Sequence, residues 1–232
     1  MSNRLRLFWA DDHRRDGLLL GAAVGIFGIT FGVLASASGL SAFKATAMSL
    51  LVFTGASQFA AVGTVSAGGE PLSALGTALL LAARNGVYSL SIAEILPTNR
   101  LKRLIAAQLV IDETAAMSEA QPVPEVSQEA FWVTGLSVYI FWNAGTLVGV
   151  MAGQVVGDPL SWGLDAAFPA GFLALLLPHL SDRKKRLAAL LGAAIAVISI
   201  PILPQGLPVL AAAFGAAIAA AVGSKKRRKH HK

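Results

Sequence analysis

The chain contains no cysteine, which excludes disulfides, thiol nucleophiles and cysteine-ligated metals at the outset. Charge is scarce too. Asp, Glu, Lys and Arg make up 14% of the residues, where a soluble domain carries roughly 25%. The four histidines, His13, His179, His230 and His231, sit near termini or beside apolar runs, without metal-ligand spacing. There is no Ser-His-Asp, HExxH or paired-carboxylate pattern, so neither an enzyme nor a cofactor is expected. What fills the chain is 55% hydrophobic. Its length leaves room for about six to eight membrane spans and little else.

The net charge of +6 is unevenly spread. Seventeen of the 19 Lys and Arg residues lie in four clusters: Arg4 to Arg15, Arg100 to Arg103, Arg183 to Arg186 and Lys225 to Lys232. Only Lys44 and Arg84 fall elsewhere. The clusters border apolar stretches, where basic residues hold a loop on the cytoplasmic side and attract anionic lipid. With no folded basic domain to carry the charge, nucleic acid is not an expected partner. The first apolar run, Gly17 to Ala37, is longer than the ~7–15 residues of a signal peptide core, so it is expected to stay in the protein.

Apolar segments fall at 17–38, 41–66, 71–97, 101–117, 130–155, 160–178, 187–203 and 206–223. Eight crossings would place Arg100 to Arg103 outside, against the charge rule. If 41–66 and 160–178 are re-entrant or broken, every basic cluster lies inside. The expectation is an all-α integral membrane protein of the inner (plasma) membrane with about six spans and two re-entrant or broken helices. Its divisions are a cytoplasmic N-terminal segment (1–16), a first transmembrane repeat (17–117), an external acidic loop (118–129), a second repeat (130–223) and a basic cytoplasmic tail (224–232).

Polar residues mark both breaks. FTGASQF (53–59) puts Thr54, Gly55, Ser57 and Gln58 within an apolar segment, and FPAGF (168–172) does the same with Pro169 and Gly171. Such backbone is tolerated at membrane depth only when buried in protein or lining a cavity. GITFGVLAS (28–36) is echoed by GTLVGVMAG (145–153), and the two breaks follow at similar distances. With these halves starting on opposite sides, an inverted repeat with a midplane site is expected.

Arg84 stands alone inside an apolar segment, where it needs a partner or a polar cavity. It lies 13 residues before Pro97, and Asp112 lies 11 residues beyond Leu101. These separations put both at similar depth, about 16–20 Å from the connecting turn. Either the pair with Asp112 or Glu113 is permanent and only fixes packing, or a carboxylate substrate or a proton competes for it. Candidate substrate contacts are Arg84, Asp112, Asn143, Ser57 and Gln58, with Phe53, Phe59 and Phe168 for an aliphatic side chain. Asp112 and Glu113 are candidates for coupling. A half-helix N-terminus near Ser57 would favour an anionic group.

Several stretches together carry a wider likeness. They are GITFGVLASASGLS (28–41), LLVFTGASQF (50–59), LLLAARNGVYSLSIAEIL (79–96), IDETAAM (111–117), FWVTGLSVYIFWNAGTLVG (131–149) and LDAAFPAGFLALLLP (164–178). In this order they resemble the large, AzlC-type subunit of branched-chain amino acid exporters, the LIV-E family. Arg84 and Tyr88 match that family's polar segment, while Ala82 and Asn85 stand where it commonly has Asn and His. The resemblance implies proton-driven export of leucine, isoleucine, valine and other neutral amino acids, and a small AzlD-type membrane subunit as partner. From the residues alone, a passive channel for a small neutral solute and a non-transport membrane assembly subunit remain alternatives.

Overall fold

The computed structural model describes residues 12–155 and 183–203, with a few isolated positions besides. Among the described residues every regular element is helical, as expected. In order these are α1 (Asp12–Ala37), α2 (Ala42–Leu51), α3 (Ala56–Ser66), α4 (Pro71–Ser91), a 3-10 turn (Ala93–Ile95), α5 (Arg100–Gln108), α6 (Asp112–Glu119), α7 (Pro124–Val155) and α8 (Arg183–Ser199). The expected second break at 168–172, Phe168 within it, most of segment 206–223 and the basic tail lie outside the described residues.

The chain forms two compact units. One comprises residues 1–58 and 81–164; the other comprises 59–80 and 165–232. The second unit includes the body of α3, the first half of α4, and α8, a basic turn followed by an apolar run. All the geometry that follows belongs to the first.

Its spine is the pair α1 and α7, 26 and 32 residues long. Both are long and apolar enough to cross a membrane, exceeding the roughly 30 Å hydrocarbon core at 1.5 Å per residue. Glycines let the two backbones touch. A Cβ on Gly17 would lie 2.8 Å from the Thr134 hydroxyl, and one on Gly28 would lie 2.5 Å from the Trp142 carbonyl. A Cβ on Gly32 would strike the Thr146 carbonyl, and one on Gly149 the Ile29 carbonyl. Close approach through small residues is how helices associate where lipid competes for apolar surface.

The order of these contacts fixes the direction. Gly17 meets Thr134, Gly32 meets Gly149, and Ser36 meets Gly153, each pair 117 positions apart. The helices therefore run parallel. The same offset separates the two copies of the glycine motif, and the contacts survive exchange of the copies. Gly28 with Trp142 is matched by Gly145 with Gly25, and Gly32 with Thr146 by Gly149 with Ile29. An approximate two-fold axis thus runs along the helix pair. This corrects the expected inverted repeat, in which these helices would be antiparallel.

The charged ends agree. Arg14 Nε donates to Glu129 Oε1 at 2.7 Å, and His13 Nε2 lies 3.3 Å from Glu129 Oε2. The end of the 118–129 loop therefore sits beside the N-terminal basic residues, not across the bilayer from them as charge patterning suggested.

Segment 101–117 accounts for the difference. It is not one span but a hairpin of two half-helices, α5 and α6. It leaves from Ile95, whose carbonyl accepts from Gln128 Nε2 at 2.8 Å. At its turn, Leu109 and Thr114 pack on Gly135, seven positions further along α7. It returns to Ser118, whose carbonyl accepts from Ser127 Oγ at 2.8 Å. The nine residues of α5 reach only about 13 Å. Arg100 to Arg103 begin α5, which follows directly from this turn, so they stay at the end of the spine held by Arg14 and Arg15.

Candidate functional site

Two helix breaks meet at Arg84. The first separates α2 from α3 across Val52 to Gly55, where Gly55 has φ +58, a left-handed conformation suited to glycine. The second is the α5–α6 turn at Leu109 to Ile111. Each break exposes backbone groups that a continuous helix would satisfy internally. In an apolar setting those groups need partners, and named side chains supply them.

Gln58 is the main clamp of the first break. Its amide oxygen accepts from the backbone of Gly55 at 3.2 Å and Thr54 at 3.4 Å, and its nitrogen donates to the Met48 carbonyl at 3.2 Å. One fully buried side chain thus joins the C-terminal turn of α2 to the start of α3. The Leu50 carbonyl accepts from Gln108 Nε2 at 3.0 Å and from the Tyr139 hydroxyl at 3.1 Å. At the second break the Thr114 hydroxyl accepts from Ile111 N–H at 3.0 Å and donates to the Leu109 carbonyl at 2.8 Å.

Between the breaks, Arg84 on α4 forms a two-pronged ion pair with Asp112, the first residue of α6. Nη2 lies 3.3 Å from Oδ1, and Nη1 lies 3.5 Å from Oδ2. Nη2 also reaches the Thr54 carbonyl at 3.4 Å. The two side chains keep 31% and 32% of their exposure, so the pair is only partly buried. Glu113 and Tyr88 lie within the electrostatic reach of the pair.

The expected contacts divide into groups. Arg84 and Asp112 come together as expected. Ser57 is fully buried beside the first break, and its Oγ, like Thr54 Oγ1 and Arg84 Nε, has no protein hydrogen-bond partner. Gln58, expected as a substrate contact, has its amide engaged with the backbone of Met48, Thr54 and Gly55. Phe53 packs edge-on against Tyr139, with ring centroids 5.0 Å apart. Asn143 donates to the Tyr139 carbonyl one turn earlier at 2.8 Å, leaving its Oδ1 without a protein partner. Phe59 is buried in the other unit. Phe168 lies outside the described residues.

Three residues at this site carry no clear sequence signal: Gln108, Tyr139 and Thr114. Each satisfies a backbone group that becomes orphaned only once the breaks exist. Thr114 alone left a trace, since a hydroxyl three residues into a helix after an extended residue commonly bonds back to the backbone. Among the described residues there is no group of His, Asp and Glu fit to hold a metal.

The chain is 38% identical over 172 residues to an uncharacterized membrane protein of Archaeoglobus fulgidus, covering 72% of this chain and 74% of that one. It is 27% identical over 176 residues to the branched-chain amino acid transport protein AzlC of Bacillus subtilis, covering 75% and 68%. An uncharacterized membrane protein of Haemophilus influenzae is 27% identical over 174 residues, covering 74% and 71%. No solved structure matches at a significant level. The family profile described as AzlC protein matches residues 20–156, an interval that takes in most of the helix spine, both breaks, Arg84 and Asp112. The chain belongs to the AzlC family.

Proposed function

We propose that this chain is a membrane transporter subunit that exports branched-chain and related neutral amino acids from the cytoplasm. Proton movement drives the export, and a small AzlD-type membrane subunit is its partner. The observation that carries this reading is the half-exposed ion pair of Arg84 and Asp112 held between two helix breaks. The name of the Bacillus subtilis relative, a branched-chain amino acid transport protein, supports the substrate class.

The chemistry follows from the groups present. A zwitterionic amino acid brings one carboxylate and one ammonium. Its carboxylate takes the place of Asp112 on the Arg84 guanidinium, which matches a carboxylate with two parallel N–H donors. The start of α3, with the Ser57 hydroxyl, adds donors suited to the same anion. The released Asp112 receives the ammonium. The apolar side chain lies toward Phe53. Protonation of Asp112 or Glu113 weakens the hold on Arg84, and this links occupancy to the proton gradient.

Orientation follows from charge. The end of the spine that carries Arg14, Arg15 and the start of α5 faces the cytoplasm, because short basic loops are retained there. The 118–129 loop lies with them.

The test is efflux of leucine and methionine from dipeptide-loaded cells expressing this chain with an AzlD-type subunit. Efflux above the empty-vector control that a protonophore abolishes supports the reading. Efflux indifferent to the protonophore favours a passive channel, to which two helix breaks meeting at one polar residue are also suited. An Arg84→Ala chain that exports at the full rate at normal surface expression overturns the site.

A further inference from the structure

Two cross-ties join the helix breaks, one charged and one neutral. The charged tie runs from Asp112, at the start of α6, through the Arg84 guanidinium to the Thr54 carbonyl. The neutral tie is Gln108, the last residue of α5. Its Nε2 donates to the Leu50 carbonyl at 3.0 Å and lies 3.4 Å from the Leu51 carbonyl. Leu50 and Leu51 close α2, so Gln108 also satisfies carbonyls that the end of a helix leaves without partners.

The two ties are in register. Gln108 and Leu50 stand 58 positions apart, and Asp112 and Thr54 stand at that same separation. The start of each break is therefore fastened through Gln108, and its later part through Arg84.

Between these points the second break is stiff. The Thr114 hydroxyl bonds the Ile111 N–H and the carbonyls of Leu109 and Ile111, and Leu109, Val110 and Ile111 are all buried. Holding Gln108 thus holds Asp112, four residues further on.

The ties respond differently to a carboxylate. A carboxylate that takes the Arg84 guanidinium undoes the charged tie, because it fills the same pair of N–H donors. The bond from Gln108 to a backbone carbonyl has no charge for it to displace.

We propose that Gln108 is a positioning residue. It keeps the second break against the first after substrate takes Arg84, so that the freed Asp112 stays within reach of the substrate ammonium. The inference rests on the transport reading above. It deepens that reading by naming the residue that fixes the spacing of the two charges, and with it the preference for a zwitterion over a plain carboxylate.

Gln108→Met keeps the length of the side chain and removes the donor. In purified full-length protein it weakens leucine binding about 10-fold, the worth of one charged hydrogen-bonded contact. Binding of 4-methylpentanoate, which is leucine without its amino group, stays unchanged. A general loosening of the fold would weaken both ligands alike. Gln108→Glu donates to the Leu50 carbonyl only when protonated, so its leucine affinity relative to wild type recovers at pH 5 and not at pH 8. Equal weakening of both ligands, full leucine affinity in Gln108→Met, or a flat pH profile for Gln108→Glu overturns the proposal.

A second measurement needs no ligand. Where two ties span one gap, either alone retains most of the docking. Gln108→Met combined with Asp112→Ala therefore lowers the melting temperature by more than the two single changes together, a coupling that independent sites do not show. An additive result overturns the proposal. A synergistic result in protein whose wild type binds no leucine retains the tie and sinks the transport reading instead.

Discussion

Gln58 and the Met48 carbonyl, ten residues apart, meet at 3.2 Å across a gap where the helix has stopped. Because the Gln58 oxygen accepts from Gly55 at the same time, this amide replaces hydrogen bonds the broken backbone cannot make for itself. Gln58→Leu keeps the bulk and removes three bonds. Each buried group left unpaired costs about 1–3 kcal/mol. The expected result is a clear fall in melting temperature of detergent-solubilised protein, with export lost through the misplaced break. Unchanged melting would show that the clamp is dispensable.

The ion pair predicts a characteristic double-mutant cycle. Removing either Arg84 or Asp112 leaves its partner charged in a half-buried site, and breaking such a pair costs more than replacing both members. Arg84→Ala and Asp112→Ala should each destabilise the protein. The double variant should recover about 0.5–3 kcal/mol relative to the sum, as contacting residues do. Thermal denaturation of the four proteins measures this directly. All three variants should fail to export.

The spine predicts a contrast among glycines. A Cβ on Gly32 or Gly149 would overlap backbone of the facing helix, whereas Gly86 on α4 has nothing within 4 Å. Gly32→Ala and Gly149→Ala should therefore reduce the yield of folded protein sharply, and Gly86→Ala should not. Size-exclusion profiles of the three variants separate the outcomes.

Direction can be read with single cysteines. Ser41→Cys follows α1, at the far end of the spine, and Gln121→Cys lies near the end that holds Arg14 and Glu129. An impermeant maleimide should label Ser41→Cys in intact cells, and Gln121→Cys only in inverted vesicles. Labelling of both from the same side would contradict the parallel spine.

Much of this was legible in the sequence, and the limits are instructive. Depth arithmetic alone brings Arg84 to Asp112 or Glu113, because α4 and the α5–α6 hairpin share one turn and their charges are isolated, and the structure shows Asp112 as the partner. The break after Leu51 was marked by Thr54, Gly55, Ser57 and Gln58. The direction of α7 was not legible. Segment 101–117 has the apolar content of a short span, and its interruption at Leu109 to Ile111 carries neither Gly nor Pro. The break depends instead on the Thr114 hydroxyl and on packing against Gly135, which are tertiary facts. Taken as a single span, that one element reverses the second half and turns a two-fold axis along the helices into one lying in the membrane plane. The glycine motif is plain in the sequence, but its spacing is compatible with either axis. Only the contacts of Gly32 with Gly149 and of Gly17 with Thr134 decide between them.

The glycines along α1 and α7 also decide what is able to move. Where Gly28, Gly32, Gly145 and Gly149 set main chain against main chain, the spine leaves little slack for sliding. Around Arg84 the contrast is plain, because the short half-helices there are tied down by single amides and hydroxyls. Any rearrangement at this site would therefore break a handful of hydrogen bonds and leave the spine intact.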